Sequence, residues 1–167
     1  VSNLVPNLVS KITYPEHLER AAIVKLRSMS KKDFAKLPDV NEGLENRIFD
    51  SVHKYNSVEE IIFEIKTKRY THARLRRIIT CALLGITEEL QQIPCKYARI
   101  LGFSNEGEKL LKTCRFEIVT SPAKYLRKKD NDIRLFEKDI LASDIAAASY
   151  DDISSCGADF HTQIIKI

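Results

Sequence analysis

A chain of 167 residues that is 44% hydrophobic and 30% charged has the length and composition of one ordinary globular domain with a single core. Mean hydropathy is −0.24, and no apolar run approaches the roughly 20 residues of a membrane helix, so the sequence predicts a soluble protein with no membrane partner. The net charge of +4 is too small to name a partner until its position along the chain is considered.

The opening Val1-Ser2-Asn3-Leu4-Val5-Pro6 has no initiator Met, basic n-region or apolar h-region. It reads as a cut edge rather than a targeting signal, and a portion of a longer protein is expected. Residues 16–29 place Leu18, Ala21, Ala22, Lys25 and Leu26 at helical spacing after Pro15, with Ile23 and Met29 broadening the stripe. Ser30 with Asp33 predicts an N-cap and a short helix ended by Pro38. Leu44, Ile48, Val52 and Tyr55 form the next buried stripe, and Ser57 with Glu60 is a capping-box signature before Val58, Ile61, Ile62 and Ile65. Thr71 is expected to cap a helix whose inner face is Leu75, Ile78, Ile79, Ala82 and Leu83 and which closes at Gly85. Thr87 begins one more short helix before Pro94.

Beyond Pro94 the texture changes. Residues 97–103 and 116–120 read as strands, with a helix over 105–115 between them, most simply a parallel strand-helix-strand unit. A basic helical turn covers 121–129, and Asn131 is expected to cap a helix carrying Ile133, Phe136, Ile140, Leu141, Ile145 and Ala148. Residues 161–167 offer a third strand. The predicted fold class is α+β, mainly α. A helical bundle over about residues 8–93 is followed by a small α/β portion, residues 94–167, with two or three short strands, all within a single domain of residues 1–167.

No catalytic or metal signature is present. Walker and G-x-G-x-x-G loops and the G-x-S-x-G nucleophile motif are missing, and His17, His53, His72 and His161 are dispersed. Cys81, Cys95, Cys114 and Cys156 lack close pairing, which predicts free thiols in a reducing cytoplasm and no zinc. The carboxylate pairs Glu59-Glu60, Glu88-Glu89 and Asp151-Asp152 fall at helix starts or in loops, where a helix dipole or solvent accounts for them. An independent enzyme is therefore the least favoured reading.

The charge, once located, is informative. Residues 66–77 hold six of the 27 Lys and Arg residues and no acid, leaving 21 cations against 23 acids elsewhere. On a helix capped by Thr71, Arg74 and Arg76 lie roughly 100° to either side of the apolar face and Arg77 points away from it. Lys66, Lys68 and Arg69 precede the cap, at the positive end of a helix dipole that an anion would relieve. The candidate RNA-binding set is Lys66, Lys68, Arg69, Tyr70, His72, Arg74, Arg76 and Arg77, with Tyr70 and His72 placed to stack on an unpaired base. Arg47, Lys124, Arg127, Lys128 and Lys129 are secondary candidates. The competing reading is a solvated cationic face neutralised by acids such as Glu45, Glu59 or Glu64.

Asn41-Glu42-Gly43-Leu44-Glu45-Asn46-Arg47-Ile48, then Lys66-Thr67-Lys68-Arg69-Tyr70-Thr71 and Arg74-Leu75-Arg76-Arg77, resemble the C-terminal region of bacterial tRNA(Met) cytidine acetate ligases. The likeness extends through Ile100-Leu101-Gly102-Phe103, residues 139–144 and Gly157-Ala158-Asp159-Phe160-His161-Thr162, where His161 departs from an expected hydroxyl residue. The resemblance implies a parent enzyme with an N-terminal HIGH-type nucleotidyltransferase domain that activates acetate with ATP and acetylates N4 of the wobble cytidine of elongator tRNA(Met). It implies that this chain is the C-terminal accessory domain, with no cofactor of its own and the catalytic domain missing. Glu45, Asn46, Arg47 and residues 66–77 are then candidates for RNA contact, or for docking that catalytic domain or a second subunit.

Overall fold

A computed structural model describes residues 15–128, 132–150 and 156–167. They divide into two units: the described residues of 1–92 and 145–154 form one, and those of 93–144 and 155–167 the other. The α+β, mainly α class holds.

In the first unit a 3-10 turn, Pro15–Leu18, leads into α1 (Glu19–Arg27), followed by α2 (Lys31–Phe34), α3 (Leu44–Lys54), α4 (Val58–Ile65), α5 (His72–Leu84) and α6 (Glu88–Gln91). The caps are local chemistry. Ser30 with Asp33 and Ser57 with Glu60 both form complete capping boxes, and the Thr71 hydroxyl accepts from the Arg74 N–H. Gly85 ends α5 in the left-handed region at φ 63°, which a residue without Cβ adopts without strain. Leu26, Phe34, Leu44, Ile48, Val52, Ile61, Ile62, Ile65, Leu75 and Ile78 form the core. The inward face of α1 differs from the expected one: Ala22, Ile23 and Leu26 are buried while Ala21 and Lys25 are exposed. The buried stripe of α1 runs through Ala22, Ile23 and Leu26, and Ala21 and Lys25, each about 100° before Ala22 and Leu26 around the helix, turn to its exposed flank.

The second unit contains β1 (Tyr97–Arg99), β2 (Gly102–Phe103), α7 (Asn105–Leu111), β3 (Glu117–Val119), α8 (Pro122–Leu126), α9 (Arg134–Ala147), α10 (Ala158–His161) and β4 (Ile165–Lys166). Residues 145–147 of α9 group with the first unit. Strand β1 pairs parallel with β3, as the strand-helix-strand pattern predicts. The expected single strand over 97–103 is instead divided, and β2 pairs parallel with β4 in a second sheet. The handover is visible in the hydrogen bonds: Ile100 N–H donates to the Val119 carbonyl, whereas the Leu101 carbonyl accepts from Ile165 N–H. Gly102 permits it, because a Cβ there would lie 3.0 Å from the Ile165 carbonyl oxygen. Asn131, the expected cap of α9, lies outside the described residues, and Leu141 on its expected inner stripe is exposed.

The core of this unit is aromatic. Tyr97 meets Phe136 edge-on at 5.0 Å between centroids, and Tyr125 lies 4.6 Å from Phe136. Burial, helped by the nearby Asp139 carboxylate, pushes the Tyr97 phenol from 10.0 up to about 12. A group with a raised folded value contributes stability that is complete below its unfolded value and is lost as pH rises through the folded one. The second unit is therefore expected to lose stability between pH 10.0 and about 12. Alkaline unfolding followed by circular dichroism, alongside the phenolate absorbance difference between the parent and Tyr97→Phe, measures this; a Tyr97 phenol that ionises at its ordinary value would contradict it.

Candidate nucleic-acid interface

The basic segment is built by two threonines. Thr67 closes a turn in which its N–H donates to the Tyr70 carbonyl and its hydroxyl accepts from the Tyr70 N–H, leaving Lys68 and Arg69 exposed between them. Thr71 then starts α5. Opposite the segment, the loop from Pro38 to Gly43 passes through the left-handed region at Asp39 (φ 63°), Glu42 (φ 55°) and Gly43 (φ 81°). For Asp39 and Glu42 this backbone costs on the order of 1–3 kcal/mol each, so surrounding contacts must hold it.

Those contacts come from the basic segment. The Arg74 guanidinium donates to the Asp39 carbonyl at 2.7 Å and lies over the Tyr70 ring, 5.0 Å from its centroid. Tyr70 is only 6% exposed, and its hydroxyl donates to the Asn41 carbonyl at 3.2 Å. Arg77 Nε donates to the Asp39 carboxylate at 3.1 Å, and Arg69 pairs with Glu42. Glu59 takes both Arg76 and, at 2.8 Å, His72 Nε2. The hydrogen bond from Arg76, then that from His72, holds the Glu59 carboxyl below its ordinary range. Arg47, on α3, donates to the Ile65 carbonyl at 2.9 Å, filling one of the unpaired acceptors at the end of α4.

The structure thus sorts the candidate residues. Tyr70, Arg74 and Arg47 brace the fold. Tyr70 in particular is buried with its ring against Arg74, which leaves it no face for a base. Arg69, Arg76 and Arg77 keep 57–58% of their side-chain surface exposed while each touches a carboxylate. Lys66 and Lys68 are exposed and meet no carboxylate among the described residues. Glu45 accepts from Asn46 and Glu64 from Tyr55, so of the three acids anticipated as partners only Glu59 serves residues 66–77. The two missed partners, Asp39 and Glu42, do leave a trace in the sequence: Pro38-Asp39 and Asn41-Glu42-Gly43 are turn chemistry suited to left-handed backbone.

Among the secondary candidates, Lys124 and Arg127 are exposed in the second unit, Lys128 pairs with Glu117, and Lys129 lies outside the described residues. That unit has its own ionic centre. Arg99, with 15% of its side chain exposed, donates to Asp159 at 2.8 Å and approaches Asp139 at 3.6 Å. Burial would raise the Asp159 carboxyl, but hydrogen bonds from Arg99 and Ser143 outweigh it and hold the group below its ordinary value. Asp144 accepts the Gly157 N–H at 2.7 Å, so residues 139–144 and 157–162 are tied together by backbone and charge. The cavity beside Arg99 and Asp159 measures only about 20 Å³, room for about one water. Among the described residues no group of three or more His, Cys, Asp or Glu side chains is gathered as a metal site.

The profile of the HIGH Nucleotidyl Transferase family matches residues 3–159. The chain belongs to that family. A tRNA(Met) cytidine acetate ligase of Thermoanaerobacter sp. (strain X514) is 37% identical over 135 residues, covering 77% of this chain and 33% of that protein. The ligase of Caldanaerobacter subterraneus subsp. tengcongensis is 31% identical over 182 residues, covering all of this chain and 45% of its own length. The chain therefore spans less than half of these curated relatives. Among solved structures, apo Thermotoga maritima TmcAL superposes with a TM-score of 0.78 at 22% identity, over 91% of this chain and 41% of that one. The alpha-thio ATP-bound form of the same protein gives 0.79 over 93% and 42%. These superpositions establish a shared fold.

The two classes of arginine are separable by stability. Arg74→Ala removes a charged donor from a part-buried carbonyl and is expected to destabilise the first unit by about 1.5–3 kcal/mol. Arg77→Ala, an exposed pair, is expected to cost no more than about 1 kcal/mol. Urea unfolding of the two variants makes the comparison, and equal losses would refute the division into bracing and surface arginines.

Proposed function

We propose that this chain is the C-terminal, tRNA-binding accessory domain, its two units together, of a cytoplasmic ligase. That ligase would activate acetate with ATP as acetyl-adenylate and acetylate N4 of the wobble cytidine of elongator tRNA(Met). The relatives' name supports a ligase of acetate and a cytidine of tRNA(Met), while the acetyl-adenylate, the N4 position and the wobble site are what the family resemblance implies. ATP and acetate would be handled by the nucleotidyltransferase portion, and the residues described in this chain would position the RNA.

One observation carries the RNA-binding part: of the six cations of residues 66–77 only Arg69, Arg76 and Arg77 pair with a carboxylate among the described residues, on Glu42, Glu59 and Asp39, and five of the six are exposed. A guanidinium has five N–H donors, so a carboxylate on one edge leaves others for a phosphate. In this reading the acids preorganise the arginine forks in the absence of RNA, while Lys66 and Lys68 contribute free charge. The second reading is a scaffold that docks the nucleotidyltransferase domain or a second subunit without touching RNA. It draws on the inward contacts of Arg47, Tyr70 and Arg74, which give the same motifs a purely internal role.

Salt dependence separates the two. Filter binding of tRNA should show log affinity falling linearly with log salt as counterions are released. Lys66→Glu with Lys68→Glu should weaken tRNA binding at low salt and reduce the magnitude of that slope by about 2, one for each phosphate that a lysine no longer engages. Arg76→Glu with Arg77→Glu should do likewise. Retention of no tRNA at low salt, or unaltered binding after both charge reversals, would favour the scaffold.

A further inference from the structure

One large side chain beside the basic segment has no role in the fold. Phe63, on α4, is 82% exposed, whereas its neighbours Ile61, Ile62 and Ile65 fill the core. It lines an open groove of about 530 Å³ together with Tyr55, Glu59, Lys66 and His72, within the range of small-ligand sites. The groove lies within the first unit, between the end of α3, the outer side of α4 and the first turn of α5.

The groove looks acidic by composition, since Glu59, Glu60 and Glu64 line it, yet each carboxylate is already engaged. Glu59 takes Arg76 and His72; Glu60 accepts the backbone N–H groups of Asn56 and Ser57 at 3.2 Å; Glu64 accepts the Tyr55 hydroxyl at 2.8 Å. Lys66, at the C-terminal end of α4, is the groove's cation without a carboxylate among the described residues. The groove therefore combines an open aromatic face, hydrogen-bond acceptors along its wall and one uncommitted positive charge. A nucleotide that has left its helix has the matching set: an apolar ring face, donors on the base edge and a phosphate. Residues 66–77 continue the positive charge away from Lys66 along the chain, as a strand of phosphates requires.

We infer that this groove binds an unpaired nucleotide of RNA, its base stacked on Phe63 and its phosphate on Lys66. The inference rests on the RNA-binding reading above and adds to it where single-stranded RNA is gripped and by which side chain. It moves the stacking role from Tyr70, which is buried, to a ring that sequence periodicity leaves unremarked.

The sequence contains no tryptophan, so Phe63→Trp creates a chain with a single indole at the platform. Titration of that variant with a mixed-sequence single-stranded oligoribonucleotide is expected to quench its emission, and the same sequence as a perfect duplex is expected to quench it far less. Phe63→Ala is expected to weaken binding of the single strand by about 5- to 150-fold, the range for one stacked base, with the salt slope unchanged. Phe63→Tyr should restore affinity, whereas Phe63→Leu, which keeps apolar area without an aromatic face, should not. Thermal unfolding of all four variants should match the parent, because the residue is exposed. Parent-like RNA affinity in Phe63→Ala would overturn the inference while leaving the RNA-binding reading intact. So would loss of self-association in that variant without loss of RNA binding, which would mark the face as a protein contact. If the parent chain itself retains no RNA at low salt, the RNA-binding reading fails first and the groove assignment with it.

Discussion

The Arg74 guanidinium joins the two most distinctive sequence motifs of the first unit. It reaches from the first turn of α5 across the buried Tyr70 ring to the carbonyl of Asp39, whose backbone is left-handed. Its Nε is buried with no hydrogen-bond partner among the described residues. The charge is therefore accommodated by the carbonyl on one side and the ring on the other, and no carboxylate among the described residues pairs with it. Around this contact the loop of residues 38–43 is held in a conformation that Asp39 and Glu42 would not adopt freely. The same loop presents both carboxylates to Arg77 and Arg69. An internal brace thereby sets the charge pattern of the exposed face.

This arrangement gives a physical account of a basic segment at a helix start. Cations there oppose the helix dipole, and the protein relieves the opposition with its own anions, Asp39, Glu42 and Glu59. The pairs are exposed, so each contributes little stability, and polyanions can compete for the same donors. Lys66 and Lys68 stand outside the lattice. The face is thus partly neutralised and fixed in geometry, conditions under which the arginine forks hold their orientation before any partner arrives.

The second unit shows the same economy at smaller scale. Arg99 links the end of β1 to Asp139 on α9 and Asp159 on α10, while the backbone of Gly157 is taken by Asp144. The stretches 100–103, 139–144 and 157–162, which carry the family likeness in this half of the chain, thus lie in or next to strand pairing, ion pairs and backbone anchoring. Their chemistry is explained by holding short, two-stranded sheets in place, where too few ladder hydrogen bonds exist to do so alone.

Much of this was legible in the chain. Helix starts at Ser30, Ser57 and Thr71 and the stop at Gly85 follow from side-chain hydrogen bonding and backbone freedom over four residues, and the core stripes of α3, α4 and α5 follow from helical period. The concentration of positive charge in residues 66–77 is likewise a property of the sequence alone. What tertiary structure decided was every long-range partnership: that Asp39 and Glu42 face the basic run while Glu45 and Glu64 do not, that Tyr70 turns inward, and that residues 97–103 serve two sheets. It also decided that Phe63 stays in water. Local sequence sets which torsions a segment prefers. Which carboxylate meets which guanidinium depends on how loops such as 38–43 turn back across the helices, and no periodicity within a helix encodes that path.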